Sequence, residues 1–254
     1  MGNQAVSQQL EVVPLPGVGD LLSRAWRIYK ERIRVFLGIM ILPFIVSFFS
    51  LLFTTGSKFL IYRIYNEAIL LPWFLRILIF ISPLFILPFI ILAILLSLWA
   101  GLALIFAIKD RGEEIGIRES FLRGWHKIIS YLWVSFLVGL VTLAGFLFFV
   151  IPGIIFAIWF SLSNYVLVVE NLTGTKALSK SKNLVSGNWW PVFWRFLAID
   201  AIAMVIFIPL ALVEALFKIP NIIGPILIFL FSPLVTIYYF LIYENLRRIK
   251  EEST

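Results

Sequence analysis

The chain lacks cysteine altogether and has a single histidine, His126, among its 254 residues. The absence of cysteine excludes disulfides, thiolate metal sites and cysteine nucleophiles. His126 has no second histidine or cysteine with which to share a metal ion, so we expect neither a metal nor a cofactor. The sequence also has no Gly-x-Ser-x-Gly motif, phosphate-binding loop or dinucleotide fingerprint. These absences predict a protein that is not an enzyme.

Charged residues are scarce too, at 14% against about 25% in an average soluble domain. Hydrophobic residues make up 61%, where about 45–50% is usual. One buried core cannot absorb this excess, so most of the surface needs lipid as its solvent. The composition excludes a disordered chain, a repeat solenoid and an ordinary cytosolic enzyme. The net charge of +7 does not by itself imply a nucleic-acid partner, and we expect none.

Long apolar windows, free of charge except for Arg195 and Asp200 in the fifth, predict six membrane-spanning helices, each of which needs about 20 apolar residues. One window is long enough for two spans, and Ile151-Pro152-Gly153 predicts a tight turn that splits it. Both faces of every segment are apolar, which excludes the alternating pattern of membrane β-strands. The predicted spans are Val35–Thr55, the interval between Arg76 and Lys109, 129–150, 153–169, Trp190–Val213 and Ile219–Tyr243.

The positive side chains favour one side of the membrane. With the N-terminus inside, 17 lysines and arginines fall on the cytoplasmic side and 4 outside. Because cytoplasmic loops usually carry the excess of these residues, we predict that both termini are cytoplasmic. We predict a flexible N-terminal arm at residues 1–17, a single membrane domain at residues 18–248 and a C-terminal tail at residues 249–254.

Three segments on the predicted inner side resemble one another: Leu21–Phe36, Ile117–Ile128 and Lys176–Trp189. Each has apolar residues on one helical face, cations on the other and a tryptophan, which is typical of a helix lying in the membrane interface. Such helices either contact anionic headgroups or simply anchor the hairpin that follows. The candidate lipid-contact residues are Trp26, Arg24, Arg27, Trp125, Arg123, Lys127, Trp189 and Lys180.

The returning spans also share a feature, since Pro88, Pro152 and Pro225 each lie near a predicted outer start. Together with the inner segments, they predict three units of inner helix, outgoing span and returning span. Three hairpins of one orientation would be related by a pseudo-threefold axis along the membrane normal.

Three polar residues fall within predicted spans or near their ends: Asp200, Arg195 and Asn164. An intramembrane carboxylate is costly when charged and unpaired, so Asp200 is a functional candidate for a proton, a cation or a substrate amine. The alternative is a structural residue that locks its helix to a neighbour, near Asn164 or Thr236. Arg195 is predicted to extend to the inner headgroups.

Several short motifs resemble those of a known family. They are Phe148 to Ile154 (Phe-Phe-Val-Ile-Pro-Gly-Ile), Trp159, Val168-Val-Glu170, Gly174, Ala177-Leu178, Ser181, Leu184 and Gly187, together with Leu15-Pro-Gly-Val and Ala25-Trp26 near the N-terminus. The chain thereby resembles a prokaryotic six-span family named for the membrane domain of glycerophosphoryl diester phosphodiesterase. The resemblance implies a six-span fold in the cytoplasmic membrane of a prokaryotic cell. It implies no activity, because the phosphodiesterase chemistry belongs to a separate soluble domain with histidines and carboxylates around a metal.

These observations predict an all-α integral membrane protein, with six transmembrane helices in three hairpins and amphipathic helices on the cytoplasmic face. The favoured function is a non-enzymatic membrane module that interacts with lipids or scaffolds partners. Its expected partners are the bilayer and the anionic phospholipid headgroups of the cytoplasmic leaflet. The alternative is a transporter or permease for a small molecule or ion that uses Asp200 within the membrane.

Overall fold

The computed structural model describes residues 15–66, 73–113, 115–217 and 223–252, with all their side chains except those of 51–89. The described residues are all-helical, with 91% of them in α-helices, which confirms that part of the predicted fold. A 3-10 turn, Arg111–Glu113, follows the third α-helix. The α-helices are α1 (Val18–Glu31), α2 (Ile33–Asn66), α3 (Trp73–Lys109), α4 (Ile117–Trp125), α5 (Ile128–Phe148), α6 (Val150–Phe160), α7 (Ser163–Glu170), α8 (Gly174–Val185), α9 (Trp189–Phe217) and α10 (Ile223–Glu252).

Within the described residues, six stretches are long and apolar enough to cross a membrane, as many as the sequence predicts. The fourth consists of α6 and α7, which are separated by a turn at residues 161–162. Each stretch is apolar because its few charges lie near its ends or, as with Asp200, stand alone. The stretches are Ile33–Ser50, Ile90–Lys109, Ile128–Phe148, Val150–Glu170, Trp189–Phe217 and Ile223–Glu252.

The turn between α5 and α6 lies earlier than predicted. Phe149 is the extended residue between the two helices, so the prediction of a turn at Ile151-Pro152-Gly153 is wrong. Pro152 is instead the third residue of α6, where a backbone N–H has no helical partner to lose. Proline is therefore compatible with the first turn of the helix that it was expected to precede.

The prolines of the other returning spans differ from each other. Pro225 is the third residue of α10 as described, as Pro152 is of α6. Pro88, in contrast, falls inside α3, which begins at Trp73, so its prediction as a marker of the helix start is wrong. The shared proline position therefore relates two of the three predicted units.

The first inner segment is also broken. Helix α1 ends at Glu31, and Arg32 leaves helical geometry before α2 begins at Ile33, so the predicted helix Leu21–Phe36 is not continuous. Arg32 is fixed there because its guanidinium donates to the carbonyl oxygens of Ala107, at 3.2 Å, and Ile115. These bonds tie the break to the end of α3 and to the residues before α4.

Helix α10 is the centre of the packing, whereas α9 is peripheral. Helix α10 packs against α1, α2, α3, α8 and α9, and its Tyr238 and Tyr243 are fully buried. Only 11% of the apolar window of α9 is buried within the protein, compared with 44% of that of α10. Clefts therefore run along both sides of α9, towards α10 and towards α6.

Candidate functional site

Charged residues from distant parts of the chain meet at one end of the helical bundle. Arg111, after α3, donates to both carboxylate oxygens of Glu244 in α10 at 3.2 Å. Glu170, at the end of α7, accepts a hydrogen bond from the Tyr243 hydroxyl at 2.9 Å and pairs with Lys180 at 3.5 Å. Polar contacts thus join the ends of α3 and α7 to α8 and α10.

Arg123 in α4 is surrounded by carboxylates. Its guanidinium lies 2.5 Å from Asp110, 3.0 Å from Glu113 and 3.0 Å from Glu119. Hydrogen bonds to these three carboxylates raise the pKa of Arg123 above its ordinary value. The positive charge of Arg123 is therefore balanced within the protein, which makes it a poor headgroup contact.

The other predicted cationic contacts divide into two groups. Lys127 donates to the Asn171 side chain, and Lys180 pairs with Glu170, so both are used between helices. Arg24 and Arg27, in contrast, are exposed on α1 and line a cavity. Of the five predicted cations, Arg24 and Arg27 are thus exposed in a cavity, whereas the other three are bound to side chains of the protein.

The cavity has a volume of about 470 Å³ and lies between α1, the 3-10 turn and α10. Helix α1 contributes residues spaced three and four apart, and so does α10, which places each set on one helical face. Its walls combine charged side chains with a few apolar ones. The lining residues are Arg24, Arg27, Ile28, Glu31, Arg111, Leu241, Glu244, Asn245 and Arg248. We call this cavity the arginine pocket.

The arginine pocket has a surplus of positive charge, with four arginines against two glutamates. Arg111 is bound to Glu244. Arg24, Arg27 and Arg248 form no ion pair with any carboxylate in the part of the chain that the structure describes. Three guanidinium groups are thus without a carboxylate partner in the described ranges, and their planar donors match phosphate or carboxylate oxygens.

The sequence did not indicate Arg111 and Arg248 as members of a site. Both were counted only among the positive residues of the predicted cytoplasmic side. They belong to elements more than a hundred positions apart, and no local spacing relates them. The pattern Leu241, Glu244, Asn245 and Arg248 on one face of α10 was the available signal, because a polar helical face near a span end needs a partner.

Arg195 has a different role from the predicted one. Its guanidinium donates to the carbonyl oxygens of Leu15 at 2.6 Å, Pro16 at 2.8 Å and Pro191 at 2.6 Å. The backbone carbonyl of Arg195 also accepts a hydrogen bond from the Tyr238 hydroxyl at 3.1 Å. Arg195 thus fastens residues 15–16 to α9 and α10 instead of extending to the inner headgroups.

Asp200 and Asn164 lie in different places. The Asp200 carboxylate is exposed on α9, and its hydrogen-bond partner is the Tyr239 hydroxyl at 3.4 Å. Asn164 accepts from the Ser135 hydroxyl at 3.4 Å instead. The predicted contact of Asp200 with Asn164 or Thr236 is therefore replaced by one with Tyr239, which lines a groove between α9 and α10.

The three predicted tryptophans differ in exposure. Trp26 is 46% exposed and Trp125 59% exposed, and the Trp125 ring meets Trp99 edge-on at 5.3 Å. Trp189 stacks on Phe193 at 5.2 Å, and its Nε1 is buried without a hydrogen-bond partner among the described residues. Trp26 and Trp125 are therefore available at the surface, whereas Trp189 belongs to the packing of α9.

No group of three or more His, Asp or Glu side chains that could hold a metal ion is found in the described ranges. Comparisons with family models, with curated proteins and with solved structures find no match for this chain. The resemblance to the six-span family stays a prediction, so any function rests on the geometry of the chain itself.

Proposed function

We propose that this chain is a non-enzymatic membrane protein whose arginine pocket binds the phosphate of an anionic phospholipid headgroup. It would cross the cytoplasmic membrane of a prokaryotic cell six times, in three hairpins, with both termini inside. The proposal includes membership of the six-span family that the sequence resembles.

The observation that carries this proposal is the convergence of Arg24, Arg27 and Arg248 without described carboxylate partners. Like charges repel, so such a cluster is stabilised by an anion. Guanidinium groups bind phosphate oxygens through charge-assisted hydrogen bonds, which are stronger than those between neutral groups. A phosphodiester shares its negative charge between two unesterified oxygens, and two such acceptors suit a pocket whose unpaired arginines come from two helices, α1 and α10.

The position of the pocket favours a lipid over a free anion. It lies beside Ile28 and Leu241, at an end of the bundle where apolar stretches meet the charged segments. Trp26 lies on the adjoining part of α1, and the Lys30 ammonium lies 5.9 Å from its ring centre. Tryptophan and lysine at this level are typical of headgroup depth, so α1, α4 and α8 are proposed to lie along the cytoplasmic interface.

The test compares Arg24→Gln/Arg27→Gln with a matched control, Arg34→Gln/Arg118→Gln. The control removes the same charge from exposed arginines of α2 and α4 that do not line the pocket. Native mass spectrometry of the detergent-solubilised protein counts retained phosphatidylglycerol, with phosphatidylcholine and inorganic phosphate as competing probes. We expect the pocket variant to lose phosphatidylglycerol affinity by about tenfold, since one charge-assisted hydrogen bond contributes about 1.5–3 kcal/mol.

The control variant should retain phosphatidylglycerol as the unmodified protein does. Equal losses in the two variants would mean that total charge, not the pocket, attracts the lipid. Binding of inorganic phosphate that excludes phosphatidylglycerol would assign the pocket to a free anion and contradict the lipid proposal.

Transport through Asp200 is the second candidate function. Its support is a carboxylate inside an apolar helix whose contact is a long hydrogen bond from Tyr239. In proteoliposomes, Asp200→Asn should abolish substrate or ion flux while the protein remains folded. Flux that is unaltered by this substitution would remove the transport hypothesis.

A further inference from the structure

The groove between α9 and α10 is a cavity of about 410 Å³ with almost entirely apolar walls. Ile199, Ala203 and Ile206 line it from α9, and Phe231 and Val235 line it from α10. It exists because α9 is poorly packed against its neighbours. Cavities of this size, apolar with a few polar groups, are typical of sites for small molecules.

The polar groups of the groove lie on one side of it. The Thr236 hydroxyl donates to the Ser232 carbonyl at 2.9 Å, so its proton is committed within α10. The Tyr239 hydroxyl lines the groove and donates to the Asp200 carboxylate at 3.4 Å. Asp200 does not line the groove itself and lies at its edge through this bond to Tyr239. It precedes Phe207, a lining residue, by seven positions, so the two lie within about 20° of each other around the helix.

Asp200 has no cation to balance it among the described residues. Arg195, on the same helix, is committed to the carbonyl oxygens of Leu15, Pro16 and Pro191. A carboxylate in apolar surroundings with one long hydrogen bond is costly unless a cation or a proton neutralises it. Charge complementarity therefore favours a positively charged ligand at this edge of the groove.

We propose that the groove binds a lipophilic amine, with its apolar chain between α9 and α10 and its ammonium group at the Asp200 carboxylate. The Tyr239 hydroxyl oxygen is a second acceptor for the ammonium. The apolar walls supply affinity for the chain, whereas Asp200 selects amines over neutral amphiphiles of the same length. This site is separate from the arginine pocket, which has the opposite charge.

The test uses radiolabelled dodecylamine and, as a neutral probe of equal chain length, dodecanol, with the protein in nanodiscs and empty nanodiscs as background. Asp200→Asn removes the charge and keeps the shape of the side chain. Glu214→Gln is the matched control, because Glu214 is a carboxylate on the same helix whose hydrogen-bond partner, the Ile223 N–H, lies outside the groove. We expect Asp200→Asn to weaken dodecylamine binding by about tenfold and dodecanol binding by less than twofold.

A third variant, Ala203→Leu, fills the groove and should weaken both probes, which places the chain between α9 and α10. Unchanged dodecylamine binding in Asp200→Asn or in Ala203→Leu would overturn the proposal. So would equal losses of dodecylamine and dodecanol in Asp200→Asn, because they would indicate an ordinary acyl-chain site. The Arg24→Gln/Arg27→Gln variant should still bind dodecylamine, which separates this test from that of the arginine pocket.

Discussion

Replacing Gly145 by alanine should force α5 and α6 apart. A Cβ atom at Gly145 would lie 3.0 Å from the Gly153 Cα atom, 3.1 Å from the Gly153 nitrogen and 2.8 Å from the Phe156 ring. Backbone atoms cannot move aside without shifting a helix, and overpacking of this kind costs about 1–3 kcal/mol. Alanine also favours the helix over glycine by about 1 kcal/mol, which offsets part of this cost. The net result should be a fall of about 1 kcal/mol in the free energy of unfolding.

Gly139→Ala is the matched control on the same helix. Nothing lies within 4 Å of a Cβ atom at Gly139, so this variant changes only helix propensity and should be slightly more stable. The two variants should therefore differ by about 2 kcal/mol. The assay is unfolding in mixed micelles with increasing sodium dodecyl sulfate, followed by tryptophan fluorescence. Midpoints that coincide for the Gly145 and Gly139 variants would refute the close α5–α6 crossing.

Three further substitutions test other contacts with the same assay. Arg195→Lys should lower the free energy of unfolding by about 2 kcal/mol, because one ammonium cannot replace a fork that reaches the carbonyls of Leu15 and its neighbours. Glu170→Gln should cost about 1–2 kcal/mol, since it removes a charge-assisted bond from Tyr243; an unchanged midpoint would contradict this. Burial raises the pKa of Tyr29 above 10.0, so above that pH the unfolded chain ionises first and the folded state loses stability. Between pH 9 and pH 11, Tyr29→Phe should therefore lose less stability than the unmodified protein, and equal losses would count against the buried phenol.

The number of apolar stretches could be predicted from sequence because a membrane-spanning helix has a strict requirement. It needs about 20 apolar residues, and charges are too costly inside to be scattered at random. The six predicted spans, five of them free of charge, therefore correspond to six helical stretches among the described residues. On α1 the buried residues are Leu21, Ala25 and Tyr29, whereas Trp26, which the sequence pattern placed on the apolar face, is exposed.

Helix ends were harder to predict, because they depend on contacts with residues far away in the chain. Arg32 ends α1 through a bond to Ala107, and nothing in the sequence near Arg32 indicates that partner. Proline was a misleading marker for a similar reason. A first-turn proline such as Pro152 and a turn proline share the same local sequence, and only the position of Phe149 separates them.

The candidate sites were predictable only in part. Arg24 and Arg27 share a helical face, so a cationic surface on α1 could be predicted. Periodicity shows which residues share a face and does not show what packs against it, so Arg248 could not be added to the arginine pocket. The same limit applies to Asp200, whose position in an apolar helix marked it as a candidate but did not indicate Tyr239.

The threading of the chain is tested most directly by single cysteines, because the sequence contains none of its own. Gly112→Cys, Thr173→Cys and Glu252→Cys place thiols at exposed positions near the charged end of the bundle, and Lys218→Cys lies in the outer loop predicted between Val213 and Ile219. A membrane-impermeant maleimide should label the first three only in inside-out vesicles and Lys218→Cys only in intact cells. Labelling of Gly112→Cys or Glu252→Cys from outside intact cells would contradict a six-span chain whose arginine pocket faces the cytoplasm.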